Sequence, residues 1–292
     1  MYELIQAGER TYYIDSPSKI GVYRMDGNDV CLIDSGIDKD AGYKVLKILG
    51  ENGWNLKMII NTHSHADHVG GNSFLQSRTS CPAYAAGEDA SIIRHSILNT
   101  SLIYGGRPCK AMKNKLLYAS PSEVSELDES VLPKGLEMTR LDGHSFAMTG
   151  LKTPDGVWFI ADSLVSAGIL EKYHIPFLRD ITKHMETLTK VGELEGELFV
   201  SSHIRPMKDV RHLVEINRDR ILDIIAKIED FCSAPLPFDD ILKKLFDSYG
   251  MTMDLNQFIL AGCTVRSFLA YMNDDGKLNA VFQDNRMLWK TT

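Results

Sequence analysis

Met58-Ile-Ile-Asn-Thr-His63-Ser-His65-Ala-Asp67-His68-Val-Gly70-Gly71-Asn72 is the stretch that organises the chain: a short apolar run breaks into three histidines and an aspartate within six residues. Met58 to Ile60 have the length and composition of a buried strand, and the turn through small and polar residues toward Val69 and Phe74 leads into a helix. The polar side chains therefore sit on a loop at a strand's end. Neutral imidazole and carboxylate are donors that suit zinc or another first-row ion, and no cysteine lies nearby to indicate a thiolate site. His63 and His65, two apart, can approach one ion from an extended segment, while Asp67 and His68 at the following helix start face a second. A lone histidine here would read as a solvated loop residue. Three of the chain's nine histidines in so short a span read as a site for two ions side by side.

Composition sets the frame. With 292 residues, 44% hydrophobic and 24% charged, the chain has the content of an ordinary globular protein with room for a large core and a second small domain. A net charge of −7 argues against a surface devoted to phosphate, so nucleic acid is not the expected partner. Cys31, Cys81, Cys109, Cys232 and Cys263 show no pairing or ligand spacing, and their odd number fits a reducing compartment, the cytoplasm. The N-terminus lacks the pattern of a signal peptide. No apolar run approaches the roughly 18 residues of a membrane span, so no membrane partner is expected.

Outward from the cluster, Thr11 to Tyr13, Ile20 to Met25 and Val30 to Asp34 read as an antiparallel meander, and Tyr43 to Leu49 as a helix. Pro82 to Ala85 is a short strand and Glu88 to Ile97 a helix. From Asn99 to Glu129 the pattern is weak, fitting either a surface insertion or a lid over a substrate pocket. Leu136 to Leu141 leads as a strand into Asp142-Gly143-His144-Ser145, and Phe146 to Thr153 pairs through Pro154-Asp155-Gly156 with Val157 to Ala161, which ends in Asp162. Leu198 to Val200 ends in Ser201-Ser202-His203. Each time a potential ligand stands just past an apolar strand, as His63 does. His95, His184 and His212 fall in helical stretches and read as ordinary surface or partly buried residues. Tyr173 and His174 lie in the loop after Asp162 and are candidates for substrate contact.

The wording His-x-His-x-Asp-His followed by Gly-Gly, with His144, Asp162 and His203 arriving in order, resembles the metallo-β-lactamase fold superfamily. The resemblance implies an α/β protein, an αββα sandwich, with His63, His65 and His144 on one ion, Asp67, His68 and His203 on the other, and Asp162 bridging. It implies two divalent ions, zinc first, with iron or manganese as alternatives. Asp34, in Asp34-Ser35-Gly36, stands where the superfamily carries a similar Asp-x-Gly and would orient a metal-side loop. Asp67 and Asp162 would hold or shuttle the proton. The function implied is hydrolysis of a small ester, thioester or lactone through a metal-bridging hydroxide, in the manner of hydroxyacylglutathione hydrolase or the lactonases. The alternatives are a persulfide dioxygenase-like oxidoreductase with one iron and a nuclease or phosphodiesterase. Asp162 fills the position at which one branch of zinc β-lactamases has cysteine.

Residues 1–207 form the expected catalytic domain and 208–292 a small, mainly helical one. Val210 to Phe231, Ile241 to Tyr249 and Leu255 to Met272 read as helices, and Leu278 to Phe282 with Arg286 to Trp289 as a hairpin across Asp284-Asn285. Three helices and a hairpin resemble a winged-helix module. Asp274 and Asp275 close the presumed recognition helix that carries Arg266, which favours a packing or homodimer-forming role over nucleic-acid reading. Lys110, Lys113 and Lys115, with Arg205 and Arg211, are the basic residues placed to attract polyphosphate if any do.

Overall fold

β1 (Glu3–Gln6), β2 (Thr11–Asp15), β3 (Ile20–Arg24) and β4 (Asp29–Ile33) form an antiparallel meander in the computed structural model, which describes residues 2–292. The two-residue period of a strand dictates what must cover it. Val30 and Leu32 of β4 enter one apolar cluster and Cys31 and Ile33 the opposite one, so neither face of the strand meets water. After α1 (Lys39–Glu51), whose first turn is capped by the Asp38 side chain, β5 (Asn55–Ile60) joins parallel to β4. α2 (Ala66–Val69) and α3 (Asn72–Thr79) lead to β6 (Ala83–Ala85). α4 (Gly87–Arg94) and α5 (Ile97–Tyr104) then precede β7 (Ser125–Glu126), which completes a seven-stranded sheet in the order β1 to β7.

β8 (Glu137–Arg140), β9 (Thr149–Lys152) and β10 (Val157–Ala161) begin a second sheet. After α6 (Ala167–Tyr173) and α7 (Ile181–Glu193), β11 (Leu198–Ser201) adds parallel to β10, giving the order β11-β10-β9-β8. The chain ends with α8 (Arg211–Phe231), α9 (Phe238–Ser248), α10 (Leu255–Asp274) and the hairpin of β12 (Leu278–Gln283) and β13 (Arg286–Thr291).

The sheets pack face to face through Tyr23, Cys31, Ile33, Leu151, Phe159 and Val200. Gly21 makes the contact close, since a Cβ there would lie 2.7 Å from the Phe159 ring. Val45, Leu49, Leu75 and Ile93 from α1, α3 and α4 cover the outer face of the first sheet. Trp158 and Ile160, which alternate with Val157 and Phe159 along β10, point outward to Leu188 and Val191 of α7. The architecture is thus the αββα sandwich. Val214, Ile221 and Ile225 of α8 and Val265 and Phe268 of α10 belong to that same outer cluster. The expected boundary at 207/208 falls between β11 and α8, and one apolar core runs across it.

Two expected elements differ. The helix anticipated over Glu88 to Ile97 breaks at His95, where φ is −127° and ψ is 64°. The break lets Ile93 face the first sheet's cluster while Ile103 of α5 faces a separate one with Met112, Leu117 and Ile259. The strand anticipated from Phe146 starts only at Thr149, because the preceding residues form a loop of the site. The weakly patterned 99–129 stretch contains most of α5 and all of β7 and rests on α10, with Asn114 Nδ2 donating to Asn256 Oδ1 at 3.2 Å. Its pattern is weak because the surface it buries against lies far away in sequence.

Gly70 and Gly71 press the histidine loop onto the turn after β4. A Cβ would lie 1.9 Å from the Ile37 carbonyl oxygen at Gly70 and 2.3 Å from that of Ser35 at Gly71. Gly70→Ala is expected to cost about 3 kcal/mol through overpacking. Gly50→Ala, in α1 with open space around it, is expected to stabilise by up to about 1 kcal/mol. Denaturant midpoints measure both, and equal effects would refute the role assigned to the backbone contact.

Candidate metal centre

The site forms where the ends of β4, β5, β10 and β11 meet. Asp34, just past β4, is a non-glycine residue at φ 65°, a conformation costing about 1 kcal/mol that surrounding contacts must hold. Its Oδ1 accepts from the Thr62 backbone at 2.8 Å, and its Oδ2 accepts from the Thr62 hydroxyl at 2.8 Å and from His68 Nδ1 at 2.7 Å. One carboxylate thereby fixes the start of the histidine loop and the ring of His68.

Proton placement follows from the acceptors. The Thr62 hydroxyl gives its only proton to Asp34, so at 3.1 Å from His63 Nδ1 it accepts, and His63 Nε2 carries a lone pair. His144 Nδ1 donates to the Phe177 carbonyl at 3.0 Å, and His203 Nδ1 to that of Pro17 at 2.9 Å. His63, His68, His144 and His203 therefore all turn an unprotonated Nε2 inward when neutral. His65 turns its Nδ1 inward, 3.0 Å from His63 Nε2 and 2.9 Å from His144 Nε2. One nitrogen with at most one proton cannot satisfy both neighbours. Three imidazole nitrogens converging on one point need a cation there, and their separations suit donors about 2.0–2.1 Å from a first-row ion. The residues thus fit a metal.

A second group lies beside the first. His203 Nε2 is 3.1 Å from Asp67 Oδ2, and His68 Nε2 is 3.4 Å from the same oxygen. Asp162 stands between the groups, its Oδ2 3.4 Å from both His144 Nε2 and His203 Nε2, and its Oδ1 3.5 Å from His68 Nε2. That buried Oδ1 has no hydrogen-bond partner, as expected of an atom made for a cation. Asp162 is aimed by Ala161, at φ 47°, whose carbonyl accepts from Ser202 N at 3.1 Å and Ser201 Oγ at 2.9 Å. The groups that could hold an ion are His63, His65 and His144; His63, His68 and Asp162; and Asp67, His68 and His203. His203, with 43% of its side chain exposed, marks the side open to solvent.

The two groups differ electrically. Burial, followed by neighbouring imidazoles, holds His63 and His65 well below the usual histidine range, and burial also lowers His144. These rings are neutral and ready to donate. Burial also opposes charge on Asp67 and Asp162, yet facing imidazolium groups keep both carboxyls well below their ordinary value. Asp162 raises His203 to about 10, while Asp67, Asp34 and Asp162 outweigh burial and raise His68. Without a cation, the second group is thus a network of ion pairs.

Two residues that sequence reading passed over complete the site. Asp89 of α4 is fully buried. It accepts from Ser64 N at 3.1 Å and from the Ser64 hydroxyl with one oxygen, and from Ser145 Oγ at 2.8 Å and Ala147 N at 2.7 Å with the other. It thus ties the loop of His63 and His65 to the loop of His144. The available signal was an acid three and four residues before Ile92 and Ile93, on the apolar face of its helix. Phe177 sets its ring 5.3 Å from His65 and 5.7 Å from His144. The expected substrate contacts Tyr173 and His174 lie elsewhere. α6 is followed by its cap His174, φ 54°, which stacks on Tyr249 at 4.6 Å and faces Arg220, while Tyr173 is exposed under Lys172. Of the other histidines, His95 and His212 are exposed, whereas His184 is fully buried and pushed down to about 3 by that burial.

A two-sheet sandwich with this donor set at one edge defines a class. Residues 14–203 match the family model of the metallo-beta-lactamase superfamily, and the chain belongs to it. Among curated relatives it resembles the hydroxyacylglutathione hydrolase of Methylococcus capsulatus, 40% identical over 63 residues, or 22% of this chain and 23% of that protein. It also resembles the probable metallo-hydrolase YybB of Bacillus subtilis, 35% identical over 77 residues, or 25% of this chain and 34% of that one. The chain thus aligns with only about a quarter to a third of these relatives' length. Solved structures resemble it throughout. A beta-lactamase domain protein from Burkholderia ambifaria covers 99% of this chain and 94% of its own, at TM-score 0.77 and 17% identity. A metallo-beta-lactamase family protein from Thermus thermophilus covers 100% and 98%, at TM-score 0.72 and 14% identity. Among the described residues no helix is long and apolar enough to cross a membrane.

Asp89→Ala is expected to weaken Co2+ or Zn2+ uptake by the His63, His65 and His144 group about 10–100-fold, because the loops lose their common anchor. Competition with a chromophoric chelator measures it. Asp89→Asn, which keeps one acceptor, should fall between, and wild-type affinity in both variants would show that the tie does not position the imidazoles.

Proposed function

We propose that the chain is a metal-dependent hydrolase of small acyl compounds, an ester, thioester or lactone, that works with two divalent ions. The observation that carries this reading is Asp162, with one oxygen facing both His144 and His203 and the other left without a partner between two converging donor sets. His63, His65 and His144 would hold one ion, Asp67, His68 and His203 the other, and Asp162 would bridge. An imidazole and carboxylate set without thiolate favours zinc, with iron or manganese the next choices. Bound there, divalent ions supply Lewis acidity to a substrate oxygen and bring the ionisation of water close to neutral pH.

The chain's own residues do the rest. Fixed Nδ1 protons keep four of the imidazoles from rotating away, and Asp34 braces the loop that bears two of these four, His63 and His68. Asp67, ionised and 3.1 Å from His203 Nε2, is the group placed to take up and return a proton. Phe177 lays its ring edge-on beside His65 and His144 as an apolar flank of that group. The acyl assignment rests on the partial likeness to hydroxyacylglutathione hydrolases and on a net charge of −7, which offers polyphosphate little attraction. Metal identity and stoichiometry separate this reading from a one-iron oxidoreductase.

Elemental analysis of the metal-loaded protein is expected to give two ions per chain, with turnover on thioesters or lactones exceeding that on phosphodiesters. Asp67→Asn should lower kcat at least about 100-fold with little change in Tm. A single iron with oxygen uptake, or faster turnover on RNA, would replace this reading. Loading should also depend on pH. Because His68 and His203 are raised in the metal-free chain, filling their site near pH 7 expels about two protons, whereas the neutral His63, His65 and His144 give up none. Affinity for the second ion should rise with pH and that for the first stay nearly flat above pH 6. Calorimetry in buffers of different ionisation enthalpy counts the protons, and equal release from both sites would contradict the asymmetry.

A further inference from the structure

A cavity of about 640 Å3 lies away from the histidines, between α5, the start of α7 and one stripe of α10. We propose that it binds a small organic anion, a carboxylate or phosphate ester carried on an apolar or aromatic body. Its volume is that of a small-molecule site. Leu102, Tyr104 and Tyr271 supply apolar and aromatic wall, and Arg179 and Arg266 supply positive charge.

The two guanidinium groups are the argument. The arginines that form ion pairs among the described residues are Arg10, Arg140, Arg211 and Arg220, and Arg179 and Arg266 are not among them. Arg179 is mostly buried, with its guanidinium over the rings of Phe146 at 4.7 Å and Phe177 at 5.6 Å and one NH2 on Asn99. Its Nε is buried without a partner. A buried cation without a carboxylate is costly to keep, and burial does press its pKa downward. The nearby acid, Asp89, commits both oxygens to Ser64, Ser145 and Ala147. Arg266 lies over the Phe238 ring at 3.8 Å, on the exposed side of α10. Two acids also line the cavity, but Asp180 caps its own helix by accepting from Lys183 N at 3.0 Å, and Asp274 is an exposed residue in the last turn of α10. Arg179 thus contributes to the cavity wall without a carboxylate paired to it.

Arg179 and the metal centre share a wall, since Phe177 packs between its guanidinium and the rings of His65 and His144. The anion could be the tail of the acyl substrate, which rests on the hydrolase reading, or a separate ligand. Isothermal titration of the metal-loaded protein with phenyl phosphate, benzoate and neutral benzyl alcohol tests the site without any turnover. An aryl anion should bind at least about tenfold tighter than the alcohol. Arg266→Met should weaken it at least about tenfold at unchanged metal content, and Ala270→Trp, which fills the cavity without touching charge, should block it. No binding by the wild type up to about 10 mM, binding indifferent to both variants, or binding lost on chelation but not in Arg266→Met would overturn the proposal. If Arg266→Met raises KM for an anionic acyl substrate with kcat unchanged, the anion is the substrate's tail. If binding depends on Arg266 while KM does not, it is a separate ligand. A chain that binds the anion yet hydrolyses no acyl compound would end the hydrolase reading and leave the cavity site standing.

Discussion

The carboxylate of Asp34 sits in a left-handed turn that its side chain does not favour, and it stays there because four groups need it: the Thr62 backbone, the Thr62 hydroxyl, and through them His63 and directly His68. Local strain of about 1 kcal/mol is set against hydrogen bonds to a charged acceptor, each stronger than a neutral one. The orientation of one imidazole in each donor set traces back to this residue. Gly70 and Gly71 complete the arrangement, because only residues without a Cβ let the helical end of the loop reach the turn after β4.

The second sheet brings the other half of the site by the same device. β10 ends in Ala161, again in left-handed backbone, and the carbonyl it exposes is taken by the residues that end β11. Asp162 and His203 are thus delivered together. What aligns the two sheets is apolar contact between Gly21, Ile33 and Phe159, so the relative position of the donor sets is a property of the core, and a change of volume there would be felt at the candidate ligand atoms.

The C-terminal helices share in this. α8 and α10 lie in the same apolar cluster as α7 and β10, and α10 also receives the 99–129 stretch. Helix α10 therefore touches the back of the sandwich, the insertion and, through Cys263, Arg266 and Ser267, the cavity beside Arg179. A segment that reads as an appendage is a wall of the region next to the site.

The histidine and aspartate spacing, the strand that precedes each candidate ligand and the alternation along β4 and β10 are local properties, and together with the likeness to a known superfamily they made the α/β sandwich and the seven candidate ligands legible in the sequence. It could not reach Asp89, Phe177 or Arg179. Asp89 acts on two loops 25 and more residues away, Phe177 matters through a carbonyl and a ring edge, and Arg179 is notable only because it forms no ion pair. It likewise placed Tyr173 and His174 beside the candidate site by their place in the chain, whereas the handedness of the turn at His174 sends that ring to Tyr249. Periodicity and motif spacing report on neighbours within a few residues. Which loops are tied together, which cation is left unpaired and which ring faces the site depend on contacts between distant segments, and only the tertiary structure decided those.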